Sequence, residues 1–247
     1  MKKLIIALVA LLPMFAIAAG GNNEHVKSPA EPIDLTDNAS LERGLGYFQQ
    51  YCAGCHSTQY QRYGRVADDL GISVDDMKAK YLPADAKIGD LMENAIPDAD
   101  AAKWFGATPP DLTLVARVRG EDWVYSYLKG FYADPSRPFG VNNTVFPMVG
   151  MPHVMQDLQG LGTAVFETKT VNGVEVTSIK EITPPQGGSM SAEEYDQVVR
   201  DITGFLVYSA DPVKLEREAM GFWVLCFLFV FFVIAYLLKK EYWKDVH

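Results

Sequence analysis

Cysteine is scarce in this chain, with three among 247 residues. A dense disulfide framework is therefore excluded, and because Cys226 lies inside a long apolar run, one usable pair remains, Cys52 and Cys55. Basic residues are outnumbered, 22 Lys and Arg against 31 Asp and Glu, for a formal charge of -9. A surface of that sign repels phosphate backbones, so no nucleic acid is expected as a partner and a basic protein is the better expectation. Histidine is confined to the well-separated His25, His56, His153 and His247. No second Cys/His pair accompanies Cys52 and Cys55 at the spacing a structural zinc site needs. Internal repeats and low-complexity tracts are missing, which excludes solenoids and propellers. Charged residues make up only 21% against 49% hydrophobic, too apolar a balance for a disordered protein.

The apolar excess is concentrated at the two ends. Met1-Lys2-Lys3, the apolar stretch from Leu4 to Ile17 and the small-residue Ala16-Ile17-Ala18 match a secretory signal peptide over 1–18, with the mature chain beginning near Ala19. At the other end, Met220 to Leu238 runs 19 residues without a charge. At about 1.5 Å per residue, a helix of that length just crosses a hydrocarbon core of about 30 Å. Lys239, Lys240 and Lys244 follow it, whereas both signs of charge precede it, so the C-terminal tail at 239–247 is expected in the cytoplasm. Signal and anchor together predict a periplasmic body held on the cytoplasmic membrane by one transmembrane helix.

Within that body, residues 19–35 read as an extended lead-in and 36–212 as the folded domain. Ser40 is expected to cap a helix in which Leu41, Leu45, Phe48 and Cys52 share one face. Helical patterns also appear over Val74 to Tyr81 and Ala86 to Glu93. Thr108-Pro109-Pro110-Asp111 must form an extended corner, because proline lacks a donor and restrains its predecessor. Helices are predicted from about Leu112 and over Glu121 to Tyr132, followed by a largely loop segment from Asp134 to Pro152. Val165 to Ile182 alternates about Asn172-Gly173 and predicts a surface β-hairpin with a primed turn. Ser191 with Glu194 forms a capping box, and Tyr195, Val198, Val199, Ile202, Phe205 and Leu206 line the face of the helix that follows.

The chemistry is carried by Cys52-Ala53-Gly54-Cys55-His56. Two residues between the cysteines let one turn present both sulfurs for thioether bonds to a haem, and the adjacent His56 can take an axial position on its iron. A disulfide, half of a zinc site and a thiol redox pair are the competing readings. The other axial ligand decides between electron transfer and oxygen or peroxide chemistry. Its candidates are Met77, Met92, Met148, Met151, Met155 and Met190, with His25 and His153 as nitrogen alternatives. Met151 is preferred because Gly150 and Pro152 fix a non-helical corner around it, although a methionine is more often core filler. Arg117, with Arg119 as its nearest rival, could meet a haem propionate, but read from residues alone it is a solvated helix arginine.

Several motifs in order resemble the cytochrome c1 family of the bacterial quinol:cytochrome c oxidoreductase, the cytochrome bc1 complex. They are Cys52-Ala53-Gly54-Cys55-His56-Ser57 with Tyr60 and Tyr63, Trp104-Phe105-Gly106 leading to Pro109-Pro110-Asp111-Leu112, Arg117, Gly120-Glu121-Asp122 before an aromatic helix, Gly150-Met151-Pro152, and the anchor ending Lys239-Lys240-Glu241-Tyr242-Trp243. The resemblance spans nearly the whole mature chain. It implies thioethers at Cys52 and Cys55, iron ligands His56 and Met151, haem packing by Pro110 and a propionate contact from Arg117. The fold it implies is mainly α, a class I cytochrome c-like haem domain whose pre-haem helix packs near the helix starting at Ala192, with the surface β-hairpin and one C-terminal transmembrane helix added. The partners it implies are cytochrome b and the Rieske iron-sulfur subunit, a soluble or membrane-bound c-type cytochrome, and a dimeric complex. Other readings are an independent anchored cytochrome c feeding an oxidase, an anchored haem peroxidase, and an anchored thiol oxidoreductase.

Overall fold

The computed structural model describes residues 24–171 and 174–246. The predicted signal peptide at 1–18 and the turn pair Asn172-Gly173 lie outside the described residues. In chain order the elements are α1 (Asn38–Tyr51), β1 (Thr58–Arg62), α2 (Tyr63–Leu70), α3 (Val74–Lys80), β2 (Leu91–Met92), α4 (Asp98–Phe105), α5 (Val115–Arg119), α6 (Glu121–Lys129), β3 (Phe131–Ala133) and β4 (Val141–Asn143). They continue with α7 (Gln156–Gln159), β5 (Gly160–Val171), β6 (Val174–Ile182), β7 (Gln186–Gly187), α8 (Ala192–Ala210) and α9 (Lys214–Tyr242). About half of the described residues are helical.

The helix that leads to Cys52 and the one that starts at Ala192 cross at close range. Gly44 on α1 permits this, since a Cβ there would stand 2.0 Å from the carbonyl oxygen of Asp201 on α8. Phe48 and Phe205 fill the same crossing, with ring centroids 5.5 Å apart. Asp201, only 1% exposed, takes both Ser40 and the Arg43 guanidinium from α1, so a buried charge is paired across the joint. This differs from the expected capping by Ser40. Asp37 accepts from the Ser40 backbone N–H and caps α1, and the serine hydroxyl is spent on Asp201 instead.

Other boundaries move for tertiary reasons. Residues 86–93 are not a helix. The carbonyls of Ile88 and Asp90 accept from the first backbone N–H groups of α2, and Leu91–Met92 pairs with β1. The helix expected from Leu112 begins at Val115, because the Leu112 N–H reaches the Ser57 carbonyl and the Thr113 N–H the Asp111 carboxylate. The helix expected to reach Tyr132 stops at Lys129. Beyond Gly130, Phe131 and Tyr132 join a strand that pairs antiparallel with β4 and parallel with β5. The segment expected as loop from Asp134 to Pro152 therefore contains β4.

β5 and β6 pair antiparallel from Ala164↔Ile182 to Val171↔Val174. The base of this ribbon is tied to the body through β3 and β7. Helix α8 carries the predicted capping box at Ser191 and Glu194 and ends at Ala210, before Asp211-Pro212. The lead-in is docked, since Ser126 on α6 accepts from the Lys27 backbone N–H and donates to the Lys27 carbonyl. Helix α9 runs 29 residues, longer than the uncharged run inside it, with mean hydropathy 2.7 in its most apolar window and none of that window buried. At about 1.5 Å per residue it has length to spare for a bilayer core.

Candidate metal centre

The end of α1 shapes the cysteine motif. The N–H groups of Cys52 and Ala53 both reach the Phe48 carbonyl, and those of Cys55 and His56 both reach the Cys52 carbonyl, at 2.8 to 3.0 Å. The chain thus makes one tight non-helical turn directly off the helix and places both sulfurs and the imidazole on it. Cys52 is buried and Cys55 half-buried. Burial, with the neighbouring Cys55 adding to it, pushes the Cys52 thiol up to about 12. That is opposite to the lowered value a redox-active thiolate needs, so Cys52 is a poor attacking thiol.

His56 is oriented by the double-proline corner. Its Nδ1 lies 2.7 Å from the carbonyl oxygen of Pro110. A carbonyl only accepts, so Nδ1 carries the hydrogen and Nε2 keeps its lone pair for a metal. Burial lowers the imidazole below its usual value against the opposing pull of the Pro110 carbonyl and Asp111, which keeps it in the neutral form that ligates. The corner is itself braced against the motif. Asp111 accepts from the backbone N–H groups of Gln59 and Thr113, at 2.8 and 3.0 Å. Asn94 donates to the Cys55 carbonyl and to the Ser57 hydroxyl at 3.2 and 2.9 Å.

The methionines separate by environment. Met77, Met92 and Met155 belong to the main apolar core, and Met190 packs against it. Met148 is 66% exposed, with positive φ of 63° and its sulfur beside Arg137. Met151 is half-buried and accepts a hydrogen bond at its sulfur from the Tyr127 hydroxyl, at 3.3 Å. Its corner is held from outside. Arg137 donates to the carbonyls of Met148 and Val149, and the Asn142 side chain accepts from the Met148 N–H. His153 is buried, its ring stacked on Phe131 with centroids 4.7 Å apart.

Tyr127 sits in an aromatic row. Its ring stacks on Trp123 at 5.0 Å and meets Phe131 edge-on at 5.4 Å. Burial pushes its phenol well above the usual value, so the hydroxyl is a donor. Arg119 lies over the Trp123 ring, 5.2 Å from its centroid. Arg117, the expected propionate contact, is 64% exposed with its guanidinium 3.5 Å from the Asp211 carboxylate.

The structure thus joins Cys52, Cys55, His56 and Pro110 directly. It sets Met151 against α6, whose Tyr127 packs against both apolar clusters, and it pairs Arg117 with Asp211. An imidazole with a bare Nε2, a half-buried thioether and two thiols on one turn are donors suited to a covalently held iron porphyrin. Zinc would want three or four Cys, His or carboxylate ligands, and among the described residues no such group occurs. Sequence reasoning missed Asn94 and Tyr127. Nothing marks the first, but Tyr127 is four residues after Trp123 on a helix, a spacing that stacks the two rings.

A model described as the Cytochrome C1 family matches residues 28–170 and 181–246. Cytochrome c1 of Allochromatium vinosum is 56% identical over 247 residues, all of both chains. The ammonia monooxygenase gamma subunit of Nitrosomonas europaea is 42% identical over all of this chain and 99% of that one. Cytochrome c1 of Rhodobacter capsulatus is 25% identical over 98% of this chain and 97% of its own. With haem-motif geometry and full-length similarity in agreement, the chain belongs to the cytochrome c1 family, and it carries covalent haem c as the membrane-anchored electron-transfer subunit of the bc1 complex.

Proposed function

We propose that Cys52 and Cys55 would form the two thioethers to haem c, that His56 Nε2 and Met151 Sδ would ligate its iron, and that the Pro110 corner would pack against it. Haem c, when bound, supplies a one-electron iron couple. The observation that carries this assignment is the His56–Pro110 hydrogen bond, which fixes the tautomer that leaves Nε2 free. Of the two arginines, Arg119 is the better placed for a propionate, because it stands over the aromatic row that contains Tyr127, whereas Arg117 is engaged by Asp211. The crossing of α1 and α8 at Gly44 supports a class I cytochrome c-like core, and the β5–β6 ribbon supports the surface hairpin.

The chain makes and breaks no substrate bond. It accepts one electron from the Rieske subunit and delivers it to a c-type cytochrome, soluble or membrane-bound. The acidic balance of 31 against 22 favours a basic acceptor, in a small and transient encounter. The lysines that follow the apolar run support a haem domain in the periplasm and a cytoplasmic C-terminus. A dimeric complex is the assembly this reading predicts.

The test is purification of the full chain from membranes. It should retain haem on a denaturing gel and give a c-type pyridine haemochrome, and cytochrome b and a Rieske protein should copurify. A colourless chain overturns the assignment. Recovery with a monooxygenase instead of those subunits would favour the role named for the Nitrosomonas europaea relative.

A further inference from the structure

We propose that Tyr127 is a positioning residue for the Met151 thioether, and that its hydroxyl sets the reduction potential upward by occupying one sulfur lone pair. The inference rests on Met151 being the axial ligand. Tyr127 donates to Met151 Sδ at 3.3 Å. Both partners are fixed independently of that bond. The phenol ring is clamped between Trp123 and Phe131, and its backbone carbonyl accepts from Asn143 Nδ2 at 2.8 Å. The methionine corner is held by Arg137 and Asn142. A contact between two separately anchored groups persists without having to order either one, so little entropy opposes it.

A thioether sulfur has two lone pairs. With one directed at iron, the other is free to accept from the phenol. A hydrogen bond drawing density from sulfur weakens its donation to iron. The oxidised form depends more on that donation, so it is disfavoured relative to the reduced form and the potential rises. The same bond leaves the sulfur one fewer way to turn from the ring.

The test is a double-mutant cycle in the assembled, full-length complex, using Tyr127→Phe, Met151→His and the double variant, read by redox titration and absorption spectrum. Tyr127→Phe keeps the ring between Trp123 and Phe131 and removes only the hydroxyl. The expected result is a roughly fivefold fall in the reduction equilibrium constant, about 40 mV at 59 mV per tenfold for one electron. The methionine-sulfur band should be retained but shifted, and the same change should leave the potential of the Met151→His protein unmoved. An unchanged potential in Tyr127→Phe, or an equal shift in both backgrounds, overturns the proposal while leaving Met151 as ligand. Absence of the methionine-sulfur band from the unmodified complex refutes the ligand reading itself.

Discussion

The imidazole of His56 and the carbonyl of Pro110 are 54 positions apart in sequence and 2.7 Å apart in space. The link depends on Asp111, whose carboxylate holds the backbone N–H groups of Gln59 and Thr113 on either side of it. Asp111→Ala should strand both donors. A loss of about 1–3 kcal/mol in stability is expected, seen as a lower melting temperature of the haem domain. The potential should fall or broaden as the imidazole loses its fixed orientation. Asp111→Asn, which can still accept one of the two bonds, should lie between.

Met151→Leu removes a sulfur and leaves an apolar side chain of similar size. Haem should stay attached through Cys52 and Cys55, while the reduction equilibrium constant falls well beyond tenfold, more than about 59 mV. The variant should also bind carbon monoxide. Met148→Leu is the control. With that side chain 66% exposed and its backbone groups held by Arg137 and Asn142, the potential should not move. A shift in Met148→Leu equal to that in Met151→Leu would reassign the ligand.

These two residues also show what was legible in advance. The cysteine motif, its histidine and the capped helix α8 could be read directly, because their signals are local: fixed spacing, a capping box and one apolar face. What failed was settled by distant partners. Residues 86–93 carry a helical pattern, yet their carbonyls are drawn to the start of α2. Phe131 and Tyr132 continue the apolar face of α6, yet strand pairing across β3 claims them. Ser40 has the chemistry of a cap, yet a buried carboxylate 161 positions away takes its hydroxyl. Among six methionines, the residues alone rank Met151 by its Gly and Pro neighbours and the family resemblance implies it as the ligand, while the hydroxyl that bonds its sulfur comes from another element.

Arg117 and Arg119 are two residues apart and should behave differently. Arg117→Ala frees one of the two cations beside Asp211, and Arg217 remains 2.7 Å from that carboxylate. Its stability cost should stay within about 1 kcal/mol, since Arg117 is itself exposed and Arg217 still neutralises the mostly buried Asp211 carboxylate. The potential should be unchanged. Arg119→Ala removes a positive charge from the aromatic row and should lower the potential, by less than Met151→Leu does. A redox titration of both variants decides the propionate assignment, and a shift confined to Arg117→Ala would restore that residue to the role expected from family resemblance.

Gly44→Ala adds a single methyl group where the Asp201 carbonyl oxygen would lie 2.0 Å away. The obstacle is backbone of α8, so rotamer changes cannot relieve it and the helices must separate. Overpacking of this kind costs about 1–3 kcal/mol, and the upper end is expected here because Phe48 and Phe205 meet at the same crossing. Less haem-loaded protein should accumulate in membranes, and what does accumulate should melt at lower temperature. A melting temperature equal to that of the unmodified chain would mean that α1 and α8 do not cross this closely.

The carboxylate of Asp196 accepts from Lys129 Nζ and the Tyr125 hydroxyl on one oxygen, and its other oxygen forms an ion pair with Arg200, whose Nε lies 3.2 Å away. Burial alone would raise this carboxyl. The hydrogen bonds from Lys129 and Tyr125, with the charges of Lys129 and Arg200, outweigh it and hold the group below its usual value. An unfolded chain then binds more protons than the folded one between that lowered value and about pH 4. Stability from this group is fully present above about pH 4 and is lost as the pH falls through the folded value. Asp196→Asn should cost about 1 kcal/mol near neutrality, a figure kept small because Lys129 is partly solvated. Thermal unfolding followed by circular dichroism should show the gap between variant and unmodified chain closing on acidification below about pH 4. A gap that stayed constant across that range would mean that the carboxylate is not held ionised by these partners.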